Sequence, residues 1–338
     1  MESGPSLDTK LAFLVRPDAY PKGVARVDVV ETHLSWVFLT ETHAYKLKKP
    51  VRYAGVDFGP LDARRDNCVR EVALNRRLAP DVYLGAVPLV RTASGLLQLD
   101  GQGDAVDWLV KMRRLPAARM LDRLIVARQV SRSEIEALAM RLVPFYGDAA
   151  PEPMAPDEYR SILAARIDSH LDALAAPRFG VDGPRLAELR TLQHAYLAKH
   201  AAEFDAHVIA GRIVEGHGDL RPEHVCLLDE PLVIDCLEFR RDLRIVDPAD
   251  ELGYLALECE RLGGAEIGPW LFAAYTRASG DATEPALVHF YQGMRAVLRA
   301  KLAYEHLNDG ERGDIAHWRA SGADYLGWAQ RHAEAAVL

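Results

Sequence analysis

The 338-residue sequence predicts an α+β protein, in which a strand-rich N-terminal part precedes a helical C-terminal part. The strand prediction is based on residues 26–49, where polar and apolar side chains alternate and β-branched or aromatic residues are frequent. Beyond Pro116 the apolar residues instead recur every three or four positions, which is the helical period. A chain of this length can form two domains or one bilobed unit with a sizeable core.

The composition argues against several classes of function. The formal net charge is −8 and the pI is near 5.9, which is a poor match for nucleic acid or an anionic membrane surface. Residues 1–10 lack the pattern of a signal peptide, and no apolar run approaches the roughly 20 residues of a membrane span. The four cysteines include no Cys-x-x-Cys pair, which indicates reduced core residues. We therefore expect a soluble, cytoplasmic protein without nucleic-acid or membrane partners, whose oligomeric state stays open.

The predicted strand at residues 44–48 has one basic face. Because side chains alternate along a strand, Lys46 and Lys48 point to one side of the sheet, and Tyr45 and Leu47 point to the other. A short link before this strand is typical of a hairpin. The other predicted strands are residues 26–32, 36–40, 86–90, 96–99 and 107–112.

Helical spacing predicts a helix over residues 64–78 that carries Glu71. Ser131 and Glu134 have the spacing of a capping box and predict the start of another helix. A linker rich in proline and glycine is expected over residues 144–156. Further helices are expected over residues 157–176, 184–210, 249–262, 269–278, 284–307 and 316–337.

Two carboxylates, Asp219 and Asp235, flank a predicted β-hairpin. Residues 215–224 form a polar loop that carries Asp219, an apolar run follows it, and a second apolar run ends at Asp235. One acidic side chain before the hairpin and another after it can converge on one point. Two convergent carboxylates are what a magnesium-bound nucleotide and an attacking hydroxyl require.

These residues resemble the catalytic segment of the aminoglycoside phosphotransferase family, a branch of the protein-kinase-like fold. His217 and Asp219 match the family's His-x-Asp pattern, and Asp235 lies where the family places its metal-binding aspartate. Residues 247–252 resemble the family's Asp-Pro-Ala-x-Asp-Leu segment. The position of the family's asparagine, five residues after the aspartate, is held by His224.

The resemblance extends over residues 27–262 and is greatest for one subgroup of the family. Residues 44–50, 74–80 and 217–224 resemble segments that mark this subgroup, whose members are sometimes fused to a P-loop domain. The implied fold is bilobed, with a nucleotide-binding lobe at residues 1–114, a catalytic and acceptor-binding lobe at residues 115–338, and ATP between them. The implied activity is ATP- and Mg²⁺-dependent transfer of the γ-phosphoryl group to a hydroxyl of a small molecule, either sugar or aminoglycoside-like. The sequence leaves open whether GTP replaces ATP.

The resemblance also implies roles for the catalytic and metal-binding residues. Asp219 would orient the acceptor hydroxyl and take its proton, and His217 would hold the loop that carries Asp219. Asp235 would bind Mg²⁺, because hard cations prefer carboxylate oxygens. His224 is a second candidate metal contact, although imidazole is a softer ligand than Mg²⁺ usually takes. Glu238 could supply the missing oxygen, and a surface salt bridge with Arg240 or Arg241 is an equal alternative.

The nucleotide is expected to contact residues of the N-terminal lobe. Kinase-like sites hold the α and β phosphates with a strand lysine paired to a helix glutamate, so we predict Lys46 with Glu71 and keep Lys48 as the competitor. The hinge that pairs with adenine is predicted at residues 111–114, including Lys111 and Arg113. The turn between the first two strands contains no glycine, and Ser35 is the candidate phosphate donor there.

Two alternatives remain. A nucleotide-binding pseudokinase or regulatory module is favoured by the missing glycine loop and by His224. A zinc hydrolase could use His217, Asp219, His224 and Asp235, but their spacing matches no common zinc signature. For Arg295 and Arg299, one turn apart on a late helix, we favour a solvated basic face over contact with an acidic acceptor.

Overall fold

The computed structural model describes residues 4–53, 55–308 and 314–338. Most of the strands are short, and the long ones belong to the N-terminal part. In chain order the strands are β1 (Asp28–Glu31), β2 (Ser35–Leu39), β3 (His43–Lys48), β4 (Arg52–Tyr53), β5 (Val56–Asp57), β6 (Tyr83–Arg91), β7 (Leu97–Leu99), β8 (Asp104–Arg113), β9 (Val214–Glu215), β10 (Val225–Cys226), β11 (Leu232–Val233) and β12 (Ile245–Val246).

The helices dominate the C-terminal part. In chain order they are α1 (Leu7–Leu14), α2 (Leu61–Asn75), α3 (Leu121–Val126), α4 (Arg132–Gly147), α5 (Pro156–Leu174), α6 (Gly183–Lys199), α7 (Ala201–Ile209), α8 (Pro248–Arg261), α9 (Ile267–Ser279), α10 (Pro285–Glu305) and α11 (Ile315–Val337). The predicted α+β class, with a β-rich part followed by a helical part, is confirmed.

The chain divides into two compact units. Unit 1 comprises Met1–Met120 and His224–Leu243, and unit 2 comprises Leu121–Glu223 and Arg244–Leu338. The segment after Asp219 thus returns to unit 1 before the chain re-enters unit 2. The boundary predicted between residues 114 and 115 stays a prediction.

Unit 1 is built on an antiparallel sheet in the order β1-β2-β3-β8-β6-β7. One face of the sheet buries Tyr45 and Leu47 in an apolar cluster, as the alternation of residues 44–48 predicts. The other face packs against α2 through Cys68 and Val72, together with the hairpin of β10 and β11. Lys46 and Lys48 therefore project towards α2, which carries Glu71.

Unit 2 surrounds a helical core formed mainly by α5, α6, α10 and α11. A two-residue antiparallel ladder pairs β9 with β12, so that Val214 lies opposite Val246 and Glu215 opposite Ile245. This ladder places the loop that follows β9 beside the beginning of α8. It also explains how residues 30 positions apart can combine in one site.

Several predicted boundaries are wrong. Residues 184–210 form two helices, α6 and α7, with His200 at the junction, and the predicted linker begins inside α4, which continues through Pro144 to Gly147. Proline has no N–H to donate to the carbonyl four residues earlier, and Pro144 causes this loss only one turn before the end of α4. The sequence patterns also missed α1, α3 and the small β4–β5 ladder.

The four cysteines are buried and free, as the sequence predicted. Within the part of the chain that the structure describes, no helix is both long enough and apolar enough to cross a bilayer.

Candidate functional site

Unit 1 contains a cluster of buried charges that joins β3, α2 and the segment after β11. Lys46 donates from Nζ to Oε1 of Glu71 at 2.9 Å, which confirms the predicted ion pair. Lys48 contacts the other oxygen of the same carboxylate. Burial alone would raise the pKa of Glu71, but the two lysines hold it below its usual value. Glu71 is therefore a charged anchor for two cations rather than one.

Asp235 belongs to the same cluster. Its Oδ1 lies 2.5 Å from Nζ of Lys46, and its Oδ2 lies 3.6 Å from Nε2 of His224. The Asp235 side chain is only partly buried, at 42% exposure. Desolvation would raise its pKa, but Lys46 and His224 outweigh this effect and depress the pKa far below its usual value. The carboxylate is thus ionised over the whole physiological pH range, as a metal ligand must be.

The backbone at Asp235 adopts a left-handed conformation, with φ of 62°. Such a conformation costs a non-glycine residue about 1 kcal/mol or more, and aspartate tolerates it better than most residues. Its N–H donates to the hydroxyl oxygen of Tyr83 at 3.0 Å, and the next N–H, of Cys236, donates to Oδ1 of Asn75 at 2.9 Å. These two bonds hold the turn that aims the carboxylate at Lys46.

Glu238 pairs with Lys48, whose Nζ lies 2.6 Å from Oε1 of the carboxylate. Both side chains are nearly inaccessible to solvent, so the expected surface salt bridge of Glu238 with Arg240 or Arg241 is wrong. Arg240 instead pairs with Asp242. Glu238 and Lys48 form a second, deeper ion pair beside the one that contains Asp235.

The remaining nucleotide-site candidates lie in the sheet of unit 1. Ser35 begins β2, and its hydroxyl is buried without a hydrogen-bond partner among the described residues. Lys111 lies within β8, with Nζ 4.0 Å from Asp100. The N–H groups of Arg113 and Arg114 donate to Val82 and Thr42, so these two donors are already used. The phosphate role of Ser35 and the hinge role of residues 111–114 stay predictions that none of these contacts supports.

In unit 2 the loop after β9, here named the Asp219 loop (residues 216–221), is held by Glu251 of α8. The N–H groups of His217 and Gly218 both donate to the Glu251 carboxylate, the former at 2.9 Å. The hydroxyl of Tyr146 donates to the same carboxylate at 2.8 Å. Burial raises the pKa of Glu251, although these donors oppose the effect. One fully buried side chain therefore fixes two consecutive peptide groups of the loop.

Two glycines make this clamp possible. A Cβ atom on Gly216 would lie 2.4 Å from Oε2 of Glu251 and 2.7 Å from Val246, which is closer than non-bonded atoms can approach. Gly218 has φ of 88°, a conformation that side chains rarely adopt. The Gly-His-Gly spacing before Asp219 is thus required by the packing of the loop against α8.

The Asp219 carboxylate lies between a guanidinium and a phenol. Nε of Arg221 is 3.0 Å from Oδ1 of Asp219, and the hydroxyl of Tyr254 donates to the same oxygen at 3.2 Å. The N–H of Asp219 donates to Nδ1 of His217 at 3.3 Å. His217 is buried, and this bond joins its ring to the backbone of the Asp219 loop. The roles of Asp219 in proton transfer and of His217 in the site stay predictions.

The acidic segment at the start of α8 anchors the helix. Asp247 caps the helix by accepting from the N–H of Ala249 at 2.9 Å, and Asp250 forms a bidentate ion pair with Arg295 at 2.7 Å for both bonds. The predicted solvated face of Arg295 and Arg299 is therefore wrong. Arg295 is buried, and Nε of Arg299 donates to the hydroxyl of Tyr325 at 3.1 Å.

The side chains around Asp235 can be compared with the ligands that Zn²⁺ and Mg²⁺ require. Within residues 4–53, 55–308 and 314–338, no three His, Cys, Asp or Glu side chains are arranged as a metal site. A zinc hydrolase needs about three protein ligands, so the structure gives that alternative no support. Mg²⁺ instead needs one or two carboxylates, with water and phosphate oxygens completing its shell. Asp235 is ionised and 42% exposed, and it fits such an ion.

Comparison with known proteins shows relatives of unassigned function. Uncharacterized proteins from Mycobacterium tuberculosis and Mycobacterium bovis are 31% identical over 290 residues, which is 84% of this chain. This chain spans just over half of their length, 56%. No protein-family model matches the sequence.

Solved structures of small-molecule kinases share the fold. A choline/ethanolamine kinase family protein from Mesorhizobium loti has a TM-score of 0.53 and 18% identity, covering 97% of this chain and 98% of its own. Choline kinase LicA from Streptococcus pneumoniae has a TM-score of 0.56 and 15% identity, covering 92% and 94%. An aminoglycoside 2'-phosphotransferase bound to GDP has a TM-score of 0.52 and 14% identity, covering 95% and 97%. The chain therefore has the kinase-like fold of these enzymes.

Proposed function

From this fold, we propose that the protein transfers the γ-phosphoryl group of ATP to a hydroxyl group of a small molecule, with Mg²⁺ as the metal. The observation that carries the proposal is the contact of Lys46 with both Glu71 and Asp235. A buried lysine held by one glutamate and next to one exposed carboxylate combines a phosphate-binding cation with a metal-binding anion. Phosphoryl transfer depends on just these charges, because its catalysis is mainly positioning and electrostatic stabilisation.

Lys46 is the proposed phosphate contact and Asp235 the proposed metal ligand. Burial alone would lower the pKa of Lys46, but Asp235 and Glu71 hold it well above its usual value, so the ammonium stays charged. When bound, the metal ion would neutralise charge on the transferred phosphoryl group. His224 lies close enough to Asp235 to be a second ligand. Structures with this fold include a complex of choline kinase LicA with AMP, which supports a nucleotide site.

Asp219 is the proposed general base. The acceptor oxygen attacks the γ-phosphorus, its proton passes to the Asp219 carboxylate, and the bond to the bridging oxygen breaks to release ADP. Tyr254 and Arg221 both contact the carboxylate oxygen Oδ1. These contacts fix the orientation of the base, while the Glu251 clamp fixes the backbone that carries it.

The surroundings of Asp219 favour an uncharged acceptor. Asp219 and the acidic side chains that share its arginine or lie near Tyr254 are already paired with arginines, and a polycationic acceptor would have to displace these arginines. The pairs are Asp219 with Arg221, Glu223 with Arg221, and Glu258 with both Arg261 and Arg299. We therefore favour a neutral polyol such as a sugar over an aminoglycoside. Higher kcat/KM with uncharged sugars than with aminoglycosides is the expected result of an acceptor screen.

A thermal-shift titration with ATP or GTP, with and without Mg²⁺, tests the nucleotide site directly. A ligand at 100 times its Kd stabilises the folded state by about 2.7 kcal/mol, so a magnesium-dependent rise in Tm is expected. Asp235→Ala should remove the magnesium dependence of that rise. No shift with either nucleotide would exclude phosphoryl transfer as the function.

Turnover tests the catalytic role of Asp219. Asp219→Asn should lower kcat by about 100- to 10,000-fold while nucleotide binding persists, because the amide cannot accept the proton. Asp229→Asn, at an exposed position in the turn between β10 and β11, is the matched control and should keep the wild-type rate. Equal activity of the Asp219→Asn variant would disprove the assignment.

A pseudokinase is the second candidate, and one observation favours it. Lys46 and Asp235 contact each other directly, so that the cation neutralises the proposed metal ligand. In a protein without catalysis this pair would be structural, and nucleotide would bind without magnesium dependence or turnover. The thermal-shift and turnover measurements together separate the two functions.

A further inference from the structure

Two histidines and a glutamine of unit 2 meet where α10 packs against α11. His289 and Gln292 lie one turn apart on α10, and His332 lies on α11. The Nδ1 atom of His289 is 3.0 Å from Nδ1 of His332 and 3.1 Å from Oε1 of Gln292. Two potential ligand atoms, one from each helix, thus lie within 3.1 Å of the same ring nitrogen of His289.

Hydrogen bonds do not satisfy this group completely. A ring nitrogen of histidine offers one in-plane position, which holds either a proton or a lone pair. Nδ1 of His289 has two partners within 3.1 Å, so that one position would have to serve both. Whichever of the two rings carries the proton, one close contact is left poorly satisfied.

We propose that His289, His332 and Gln292 form a binding site for a divalent transition-metal ion such as Zn²⁺, Ni²⁺ or Co²⁺. With metal–ligand bonds of about 2.1 Å, adjacent ligand atoms of an octahedrally coordinated ion, whose bonds meet at right angles, lie about 3.0 Å apart. The two measured separations have this value. Imidazole nitrogen selects these ions over Mg²⁺, and water would fill the remaining coordination positions.

The side chains are positioned as metal ligands usually are. His332 is 3% exposed and Gln292 is 5% exposed, while His289 is half-buried and gives the ion a route from solvent. Nε2 of His332, on the far side of the ring from the proposed ion, faces Oε2 of Glu260 at 3.6 Å. A carboxylate behind a metal-bound histidine is a common way to fix its orientation. Trp328 stacks on the His332 ring and restricts it further.

The proposed ion would connect α10 with α11, and its third protein ligand is an amide oxygen. Such a set differs from a cluster of three His, Cys, Asp or Glu side chains, which the described residues do not contain. The site is also independent of Asp235 and of the nucleotide, because its ligands all belong to unit 2. Its failure would therefore leave the phosphotransferase proposal unchanged.

Calorimetric titration of the tag-free, chelator-treated full chain with Zn²⁺, Ni²⁺ and Co²⁺ tests the site. We expect one equivalent of ion per chain and a rise in Tm, because the ion binds the folded helix pair. His289→Ala should lower the affinity at least tenfold. His332→Phe keeps the ring volume beside Trp328 and should have the same effect.

His317→Ala is the matched control, because His317 is an exposed histidine of α11. This variant should keep the wild-type affinity and stoichiometry. Undiminished binding in both His289→Ala and His332→Phe would identify an adventitious ion only and overturn the proposal. No binding of any of the three ions by the wild-type chain would overturn it as well. If His332→Phe fails to fold, the affinity of His289→Ala alone tests the proposal, since truncation is tolerated at the half-buried position of His289.

Discussion

The two candidate carboxylates are held in opposite ways. The Asp235 carboxylate of unit 1 is held through side chains, those of Lys46 and His224, and 42% of its own side chain remains exposed. Asp219 of unit 2 lies on a loop whose backbone is fixed by the fully buried Glu251. Side-chain ion pairs can exchange partners when a charged ligand arrives, whereas buried bonds to peptide groups cannot without loss of the fold. If Asp235 binds the metal and Asp219 acts as the base, as proposed above, the difference would give an adaptable phosphate and metal site and a rigid base.

The largest effect on stability is expected from Glu251→Ala. The truncation leaves the N–H groups of His217 and Gly218 and the hydroxyl of Tyr146 without their acceptor. A buried polar group without a partner costs about 1–3 kcal/mol, so the three together should cost about 3 kcal/mol or more. The measurement is the free energy of unfolding from urea denaturation.

Glu266→Ala is the control for this prediction, because Glu266 is exposed at the start of α9 and makes no capping bond. Its effect should stay within about 0.5 kcal/mol. Gly216→Ala should reproduce the loss seen in Glu251→Ala, since the added methyl group would occupy the position of the carboxylate. A Glu251→Ala variant as stable as the control would show that the loop is not clamped.

The next largest effect separates the two lysines of unit 1. Lys48→Met removes a cation that is 3% exposed and leaves Glu238 without its partner, which should cost about 3 kcal/mol of stability. Lys46→Met should cost less, because Glu71 keeps Lys48 and Asp235 remains hydrated. Nucleotide affinity should show the reverse order, with the greater loss in Lys46→Met.

Urea denaturation of both variants gives the order of stability loss, and nucleotide thermal shifts give the order of affinity loss. Lys22→Met, at an exposed position before β1, is the control and should change neither quantity. If Lys48→Met abolished nucleotide binding while Lys46→Met retained it, Lys48 would be the phosphate-binding lysine and our assignment would be wrong.

Local patterns predicted the parts of the site that depend on local geometry. The period of two along β3 placed Lys46 and Lys48 on one face, and Glu71 followed on the next helix, so their ion pairing could be expected. The hairpin between Asp219 and Asp235 was also predicted correctly. Both features follow from the two-residue repeat of side chains along a strand and from the length of the turn between two strands.

Partners from distant positions in the chain could not be predicted in this way. Glu238 pairs with Lys48 across 190 positions, and Glu251 reaches the Asp219 loop across 34. The one-turn spacing of Arg295 and Arg299 is typical of a solvated helix face, but Arg295 is buried against Asp250. Whether a charged side chain is buried depends on the carboxylate that the tertiary fold brings to it, and no local periodicity contains that information.

The smallest expected effect concerns His207 of unit 2, which contacts the residue that caps α8. Nδ1 of His207 lies 2.5 Å from Oδ2 of Asp247, the residue that caps α8, and Arg212 is 3.1 Å from Nε2 of the same ring. Burial and the positive charge of Arg212 both act to lower the pKa of His207, but the contact with Asp247 outweighs them and raises the pKa above its usual value. The protonated His207 ring thus stabilises the N-terminus of α8, the helix that carries Glu251.

We expect this contribution to be fully present below the ordinary histidine pKa of about 6.5 and to be lost as the pH rises through the higher pKa of the folded state. The folded state binds the proton more tightly, so stability must fall as the proton leaves. His207→Gln should abolish this part of the pH dependence of the unfolding free energy, measured from pH 5.5 to 8.5. His317→Gln should leave the wild-type dependence intact. The difference in unfolding free energy between wild type and His207→Gln should therefore shrink towards alkaline pH. A difference that grew instead would show that the ring is neutral in the folded protein.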